Sequence, residues 1–278
     1  MTNPAYPPRN AVEDAVARAL AEDLGPLGDL TASLVPAGAT VAARLVARRE
    51  GVLAGRMCAA ATFAAVDPAI AAAWHLDDGD ELEVGSVIAE VAGPLASVLT
   101  AERTALNFLC HLSGVASLTR RFVRATHGKA QIWDTRKTLP GLRALEKAAV
   151  RAGGGVNHRG SLSDFILVKD NHLAGLTIGE AVAKAKRRWP GRCVEVECDS
   201  IEQVAEALAA GATMVLLDNM GPHDVRACAD LVEGRIPIEV SGGVTLENVG
   251  ALSAAGADLI STSVITQSAP ALDIGLDL

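Results

Sequence analysis

From residue 130 onward, short apolar runs alternate with longer stretches whose apolar positions recur at helical spacing. The runs Ala130–Trp133, Phe165–Val168, Val194–Val196, Met214–Leu217, Ile236–Val240 and Asp258–Ser261 read as strands. Helices between them have recognisable starts at Thr177-x-x-Glu180, Ser200-x-x-Gln203 and Thr245. Ala210-Gly211-Ala212 and Ala255-Gly256-Ala257 form a weak internal repeat, in which Gly takes the left-handed conformation that stops a helix before the next strand. Repeated βα units imply parallel strands with right-handed crossovers. Six such units are too few for an eight-stranded barrel, so the pattern predicts an incomplete, open α/β barrel.

The first hundred residues read differently. Asn10-x-x-Glu13 predicts an N-capped amphipathic helix to about Asp23. Short strands follow at Ala39–Arg49 and Gly51–Leu53, then an Ala-rich helix from Arg56 to Val66. After Asp78-Gly79-Asp80, the segments Val84–Val91 and Leu95–Leu99 read as antiparallel strands around a turn at Gly93-Pro94. A long helix from Thr100 to about Arg124 comes next, with a break expected near Ser113-Gly114. The alternating tail Leu272–Leu278 reads as a strand returning to the first sheet. The expected division is an N-terminal α+β domain over 1–105, joined by the strand at 270–278, and a barrel-like catalytic domain over 106–269.

Composition narrows the function. Half of the 278 residues are apolar, which fits a well-packed, helix-rich globule; aromatics are only 3%. With pI near 5.3, that leaves few stacking platforms and argues against a nucleic-acid binder. Met1-Thr2-Asn3-Pro4 opens no basic-then-apolar leader, and no apolar stretch reaches membrane-spanning length, so a soluble cytoplasmic protein is expected. Five cysteines without a Cys-x-x-Cys spacing read as reduced, buried thiols, and the six histidines lack a metal-ligand spacing.

Charge is distributed unevenly. Arg103–Lys169 carries twelve Lys and Arg against three Asp and Glu, in a chain of net charge −8. The cations cluster as Asp134-Thr135-Arg136-Lys137-Thr138, Asn157-His158-Arg159 and Lys169-Asp170-Asn171-His172, each beside a predicted strand or turn. A solvated basic stripe would not concentrate there. Arg and Lys beside an apolar framework suit a small, multiply anionic ligand.

Every barrel strand is followed by a polar group: Asp134 to Thr138, Lys169, Glu197, Asp218-Asn219, Ser241-Gly242-Gly243 and Thr262-Ser263. Strand C-termini form the active-site face of barrel-like folds. Ser241-Gly242-Gly243 before a helix offers backbone N–H groups to a phosphate. Glu197 and Asp218 suit either sugar hydroxyls or a divalent ion. Lys169 suits either a Schiff base or a fixed cation for a carboxylate.

These residues resemble the quinolinate phosphoribosyltransferase family. The resemblance is carried by Thr100 to Asn107, Asp134 to Thr138, Gly153 to Arg159, Lys169 to His172, Leu217 to Met220 and Glu239 to Gly243. It extends to Gly28 to Thr31, Gly51 to Gly55 and the terminal Leu272 to Leu278. It implies an N-terminal α/β sandwich with an incomplete α/β barrel, paired as a homodimer with shared active sites and open to higher assembly. The implied reaction converts quinolinate and phosphoribosyl pyrophosphate to nicotinate mononucleotide, pyrophosphate and CO2 in NAD synthesis.

By the same resemblance, Arg103 would reach the partner's site and join Arg136, His158, Arg159 and Lys169 around the quinolinate carboxylates, with Thr135 also among the substrate-binding residues. Lys137, Glu197, Asp218, Ser241, Gly242, Gly243, Thr262, Ser263 and Val264 would line the site for phosphoribosyl pyrophosphate. Lys137, Glu197 and Asp218 would be catalytic, the two carboxylates holding Mg2+ indirectly through substrate. Ser263 and Gln267 stand where the family usually has Gly and His, and Cys110-His111 where Gln-Arg is common. Two other readings are a family paralogue with a different acceptor, which the intact Asn157-His158-Arg159 disfavours, and a Schiff-base barrel lyase using Lys169. A third is a non-catalytic anion-binding module.

Overall fold

A computed structural model describes residues 3–278; Met1 and Thr2 of the expected leader-free start lie outside them. Contacts divide the chain into two compact units. The first comprises Met1–Arg120, Thr138–Gly154 and Ile265–Leu278, and the second Arg121–Lys137 and Gly155–Val264.

The first unit contains α1 (Arg9–Leu24), β1 (Thr40–Ala47), β2 (Gly51–Val52), α2 (Arg56–Val66), β3 (Ala71–Trp74), β4 (Glu81–Leu82) and β5 (Val87–Pro94). Most of α3 (Leu95–Ala125) belongs to it, as do α4 (Arg143–Ala152) and the last strand, β12 (Ile274–Asp277). Its main sheet has the order β12-β1-β5-β3 and is antiparallel throughout. The expected return of the tail is therefore present, with Leu45 opposite Leu276. Leu45, Phe63, Ile88, Val91, Val98 and Leu109 fill the core beneath it.

Four local expectations are corrected. The first helix begins at Arg9 behind Pro8, whose fixed φ suits a helix start. Glu13 consequently does not cap; its carboxylate takes Arg9 Nε at 2.8 Å. Leu95–Leu99 is helical, because Val98, Ala101, Ala105, Leu109, Leu112 and Ala116 make one buried stripe at helical spacing. A five-residue window cannot reveal that stripe. Nor does α3 break at Ser113-Gly114. The Ser113 hydroxyl donates to Ala54 O and accepts from Ala54 N–H, and a Cβ at Gly114 would collide with the Pro270 carbonyl, so both residues serve close packing.

The first unit is also larger than the expected span. The buried stripe of α3 holds residues up to 120 in this core. α4 follows because His111 Nε2 meets the wholly buried Glu146 at 2.9 Å and Arg151 donates to Pro4 O and Tyr6 O. The five thiols are free, Cys110 and Cys193 being half-buried and the others buried.

The second unit alternates β6 (Gln131–Trp133), β7 (Ile166–Val168), β8 (Val194–Cys198), β9 (Met214–Asp218), β10 (Ile238–Ser241) and β11 (Leu259–Ser261) with helices. The helices are α5 (Asp170–Leu173), α6 (Ile178–Arg188), α7 (Ile201–Ala209), α8 (Pro222–Val232), α9 (Val249–Ala255) and α10 (Val264–Gln267). All six expected strands form, in the order β6-β11-β10-β9-β8-β7, every pairing parallel. β6 and β7 are both edges, so the barrel is open between them; a lone bridge from Trp133 to Val156 extends β6 on that side.

Thr177 and Glu180 make a reciprocal capping box, and Ser200 accepts from Gln203 N–H. Gly211 and Gly256 take φ of 79° and 113°, as helix-stopping glycines do. Thr245 does not start a helix. Asn248 accepts from its N–H and donates to Gly243 O, turning the chain before α9 begins at Val249. Among the described residues, no helix is long and apolar enough to cross a membrane.

Candidate active site

Side chains alternate between faces along a strand. Register therefore places Leu167 and Lys169, Glu195 and Glu197, Leu216 and Asp218, Glu239 and Ser241 on one face of the parallel sheet. Ser261 joins them, its hydroxyl 3.0 Å from that of Ser241. All except Glu195 line a cavity of about 240 Å3, completed by Thr135, Arg136, Lys137, His158, Arg159 and Gly242 from the strand-end loops. Of the expected site residues, the structure gathers Thr135, Arg136, Lys137, His158, Arg159, Lys169, Glu197, Asp218, Ser241 and Gly242. Gly243 and Thr262, Ser263 and Val264 lie just past the lining, after the ends of β10 and β11. Arg103 is on α3, its side chain 67% exposed and 4.0 Å from Glu102.

Buried Asp134 joins two of the sequence motifs. Its carboxylate accepts from Asn157 Nδ2 at 2.6 Å and from His158 N–H at 2.9 Å, fixing the Asn-His-Arg segment beside the end of β6. Thr135 Oγ1 accepts from Lys137 N–H at 2.9 Å and shapes the turn that carries exposed Lys137.

Arg159 lies over the Phe165 ring, 5.8 Å from its centroid. Burial, then the Arg136 guanidinium beside it, push its pKa below the usual value. Two guanidinium groups brought together in a half-buried site suit a dianionic ligand. Lys169 Nζ is ion-paired with Glu197 Oε2, the arrangement of a fixed cation.

On the far rim, Asn219 takes a φ of 57°. Its Nδ2 donates to Asp218 Oδ2 at 2.9 Å, and its backbone N–H donates to Ser241 O at 2.9 Å. Gly242 (φ 82°) packs against this residue, and a Cβ there would collide with the Asn219 side chain. Close packing on the end of β9 thus requires glycine at this position.

His158 is the buried member of the set. Its Nε2 lies 3.4 Å from Glu195 Oε2 and 3.3 Å from Glu239 Oε2. Its ring packs edge-on against Trp133 and at a tilt against Phe165, with centroids 5.4 and 5.0 Å away. Burial alone would lower its pKa, but the two carboxylates outweigh burial and lift it to about 9. Burial, opposed by His158, raises Glu195 to about 7. Sequence reasoning missed both glutamates. The available signal was period two: each lies two residues before an expected site residue, Glu197 or Ser241, inside an otherwise apolar strand.

Comparison with known proteins decides the family. Residues 29–113 match the family model for the quinolinate phosphoribosyl transferase N-terminal domain, and residues 115–277 that for its C-terminal domain. The chain belongs to the quinolinate phosphoribosyl transferase family. A probable nicotinate-nucleotide pyrophosphorylase (carboxylating) of Bacillus subtilis is 45% identical over 261 residues, spanning 92% of this chain and 90% of the relative. The nicotinate-nucleotide pyrophosphorylase (carboxylating) of Mycobacterium leprae is 41% identical, spanning 97% and 98%. A solved nicotinate-nucleotide pyrophosphorylase from Francisella tularensis superposes with a TM-score of 0.94 at 36% identity, covering 100% of this chain and 99% of that one. As a quinolinate phosphoribosyl transferase family member, the chain thus has both family domains, and the cavity residues all fall within the match to the C-terminal one.

Proposed function

We infer that this protein is a decarboxylating quinolinate phosphoribosyltransferase of NAD synthesis, taking quinolinate and phosphoribosyl pyrophosphate to nicotinate mononucleotide, pyrophosphate and CO2. The observation that carries the reading is the convergence of Arg136, Arg159, His158 and Lys169 on one cavity that Glu197, paired with Lys169, and Asp218 also line. The cations suit the two carboxylates of quinolinate, with Thr135 at the edge of that group. Lys137 on its exposed turn suits the pyrophosphate, while Ser241, Gly242, Gly243, Thr262, Ser263 and Val264 suit the sugar phosphate.

In the reaction the quinolinate ring nitrogen bonds to the anomeric carbon as the bond to pyrophosphate breaks. The ribose gains cationic character on the way, which Glu197 and Asp218 stabilise electrostatically. The ring nitrogen is then positively charged. The adjacent carboxylate leaves as CO2, and its bonding pair stays on the ring carbon, which takes a proton. The protein's chief contribution is to hold two mutually repelling anions in reacting geometry.

Mg2+ fits the donor set as an ion held mainly through substrate. Glu197 and Asp218, on neighbouring strands and the former already engaged by Lys169, would hold the ion only in part and leave the rest of its ligation to phosphate oxygens and water. When bound it neutralises charge on the departing pyrophosphate.

The proposed assembly is a cytoplasmic homodimer in which Arg103 completes the partner's pocket. Its exposure and its absence from the residues lining the cavity support this reading. The ion pair between Lys169 and Glu197 disfavours the Schiff-base alternative. Purified protein should release pyrophosphate and CO2 in equal amounts only when quinolinate and phosphoribosyl pyrophosphate are both present. Turnover without quinolinate, or with a monocarboxylate pyridine equally well, would overturn the assignment.

A further inference from the structure

His158, Glu195 and Glu239 form a cluster whose ligand atoms all lie within 4.8 Å of one another, with side chains no more than 6% exposed. Burying a carboxylate is costly unless an opposite charge meets it. Here two carboxylates, from β8 and β10, converge on a single imidazole nitrogen. The neighbouring positions on the same face, Leu167, Met214, Leu216 and Leu259, are apolar. Packing alone would have been served by more of the same. The charged cluster answers a different need, set by the surroundings of His158.

Those surroundings can be named. Glu195 faces the ring from β8 and Glu239 from β10, Trp133 packs from β6, and Phe165 from just ahead of β7. Asp134 holds the backbone N–H of His158, while Arg136, Arg159 and the Lys169–Glu197 pair share its cavity. Beside that many cations, an unclamped imidazole would shed its proton and turn freely.

We propose that Glu195 and Glu239 are positioning residues for the substrate dicarboxylate: they clamp His158 in one orientation as an imidazolium, so that it presents a fixed positive edge to the bound anion. The proposal rests on the quinolinate reading above. Both carboxylates face the same ring nitrogen, at 3.4 and 3.3 Å, and the ring cannot rotate without uncovering both. The substrate therefore meets a charge already in place, at no reorganisation cost on binding.

The test is nitrogen-15 NMR of the histidine side chains in the full-length protein, with His158→Asn to assign the signal and the Glu195→Gln/Glu239→Gln pair as the perturbation. In the wild type the His158 signals should be those of an imidazolium at pH 7.5. In the double variant burial and the neighbouring cations act unopposed, so they should titrate below the ordinary imidazole value of about 6.5. Quinolinate binding by the double variant should be about tenfold weaker at pH 8 and measurably less weakened at pH 6, while phosphoribosyl pyrophosphate binding changes less than about twofold. A neutral His158 in the wild type at pH 7.5 overturns the proposal even if the variant does not fold. So does an affinity loss equal at both pH values, which is the mark of mere structural damage, or a stoichiometric metal ion bound to the three residues. An imidazolium in a wild type that binds no quinolinate at any pH overturns the substrate reading, and with it the clamp's role, by a result distinct from the others.

Discussion

Replacing Arg159 by alanine sets two effects of one side chain against each other. In the ligand-free chain this guanidinium is half-buried beside Arg136 and makes one long bond, 3.5 Å from Nη1 to Phe165 O, together with its contact over the Phe165 ring. Such a bond and a partly exposed cation–ring contact are each worth about 1 kcal/mol at most. Removing the side chain also relieves its burial and its repulsion from Arg136, against which stands the lost attraction to Glu195, Asp164 and Glu239. The unfolding midpoint of the free protein should consequently move by no more than about 4 °C.

With quinolinate bound the balance differs. Losing one charge-assisted partner of a carboxylate costs roughly 1.5–3 kcal/mol, or about 10- to 150-fold in affinity. Phosphoribosyl pyrophosphate, assigned to the other rim of the cavity, should lose less than about threefold. Isothermal titration with each ligand, alongside thermal unfolding of the free variant, reads all three quantities. Equal losses for both ligands would refute the division of the cavity. A collapse in thermal stability would refute the claim that Arg159 is held for the ligand's sake.

Activity should vanish in excess chelator and return with Mg2+, while the free protein retains little metal by elemental analysis; full turnover in chelator would rule out the proposed ion. Arg103→Ala and Lys137→Ala should each be inactive alone, yet re-equilibrated mixtures should regain up to about a quarter of wild-type activity if the sites are shared, because half the random dimers are mixed and each has one intact site of two. A mixture that stays inactive places Arg103 in its own chain's site. His158 binds its proton more tightly when folded, its pKa of about 9 standing above the ordinary 6.5, so its contribution to stability is complete below pH 6.5 and is lost as pH rises towards 9. Thermal unfolding of the free protein should therefore shift down by a few degrees across that window, and a midpoint that does not fall between pH 6.5 and 9 would refute the raised value.

Much of this was legible in the sequence where the cause is local. The capping box at Thr177 and the cap at Ser200 each lie within one turn, and Gly211 and Gly256 stop helices through their own backbones. The pocket residues were visible because short apolar strands have identifiable ends, and the polar groups follow those ends. What escaped depends on distant partners. Ala71–Ala73 favours helix intrinsically, yet becomes β3 by pairing with β5. Asp134 reads as one more loop acid until its carboxylate is seen to hold Asn157 and His158. Glu195 and Glu239 resemble errors in a core pattern until His158, far away in sequence, is folded between them.

The pairing of β12 with β1 has a consequence during synthesis. Arg48 and its partner Asp277 are separated by 229 positions. At about 5–20 residues per second, a ribosome needs roughly 10–45 s to travel between them. Throughout that interval one edge of β1, including Leu45, lacks its final neighbour and is open to pairing with other nascent chains. The second unit has no such delay, since every strand it needs has emerged by Ser261. The barrel can thus assemble before the N-terminal sheet is sealed, and slower translation would lengthen the exposure of the sheet without impeding the barrel.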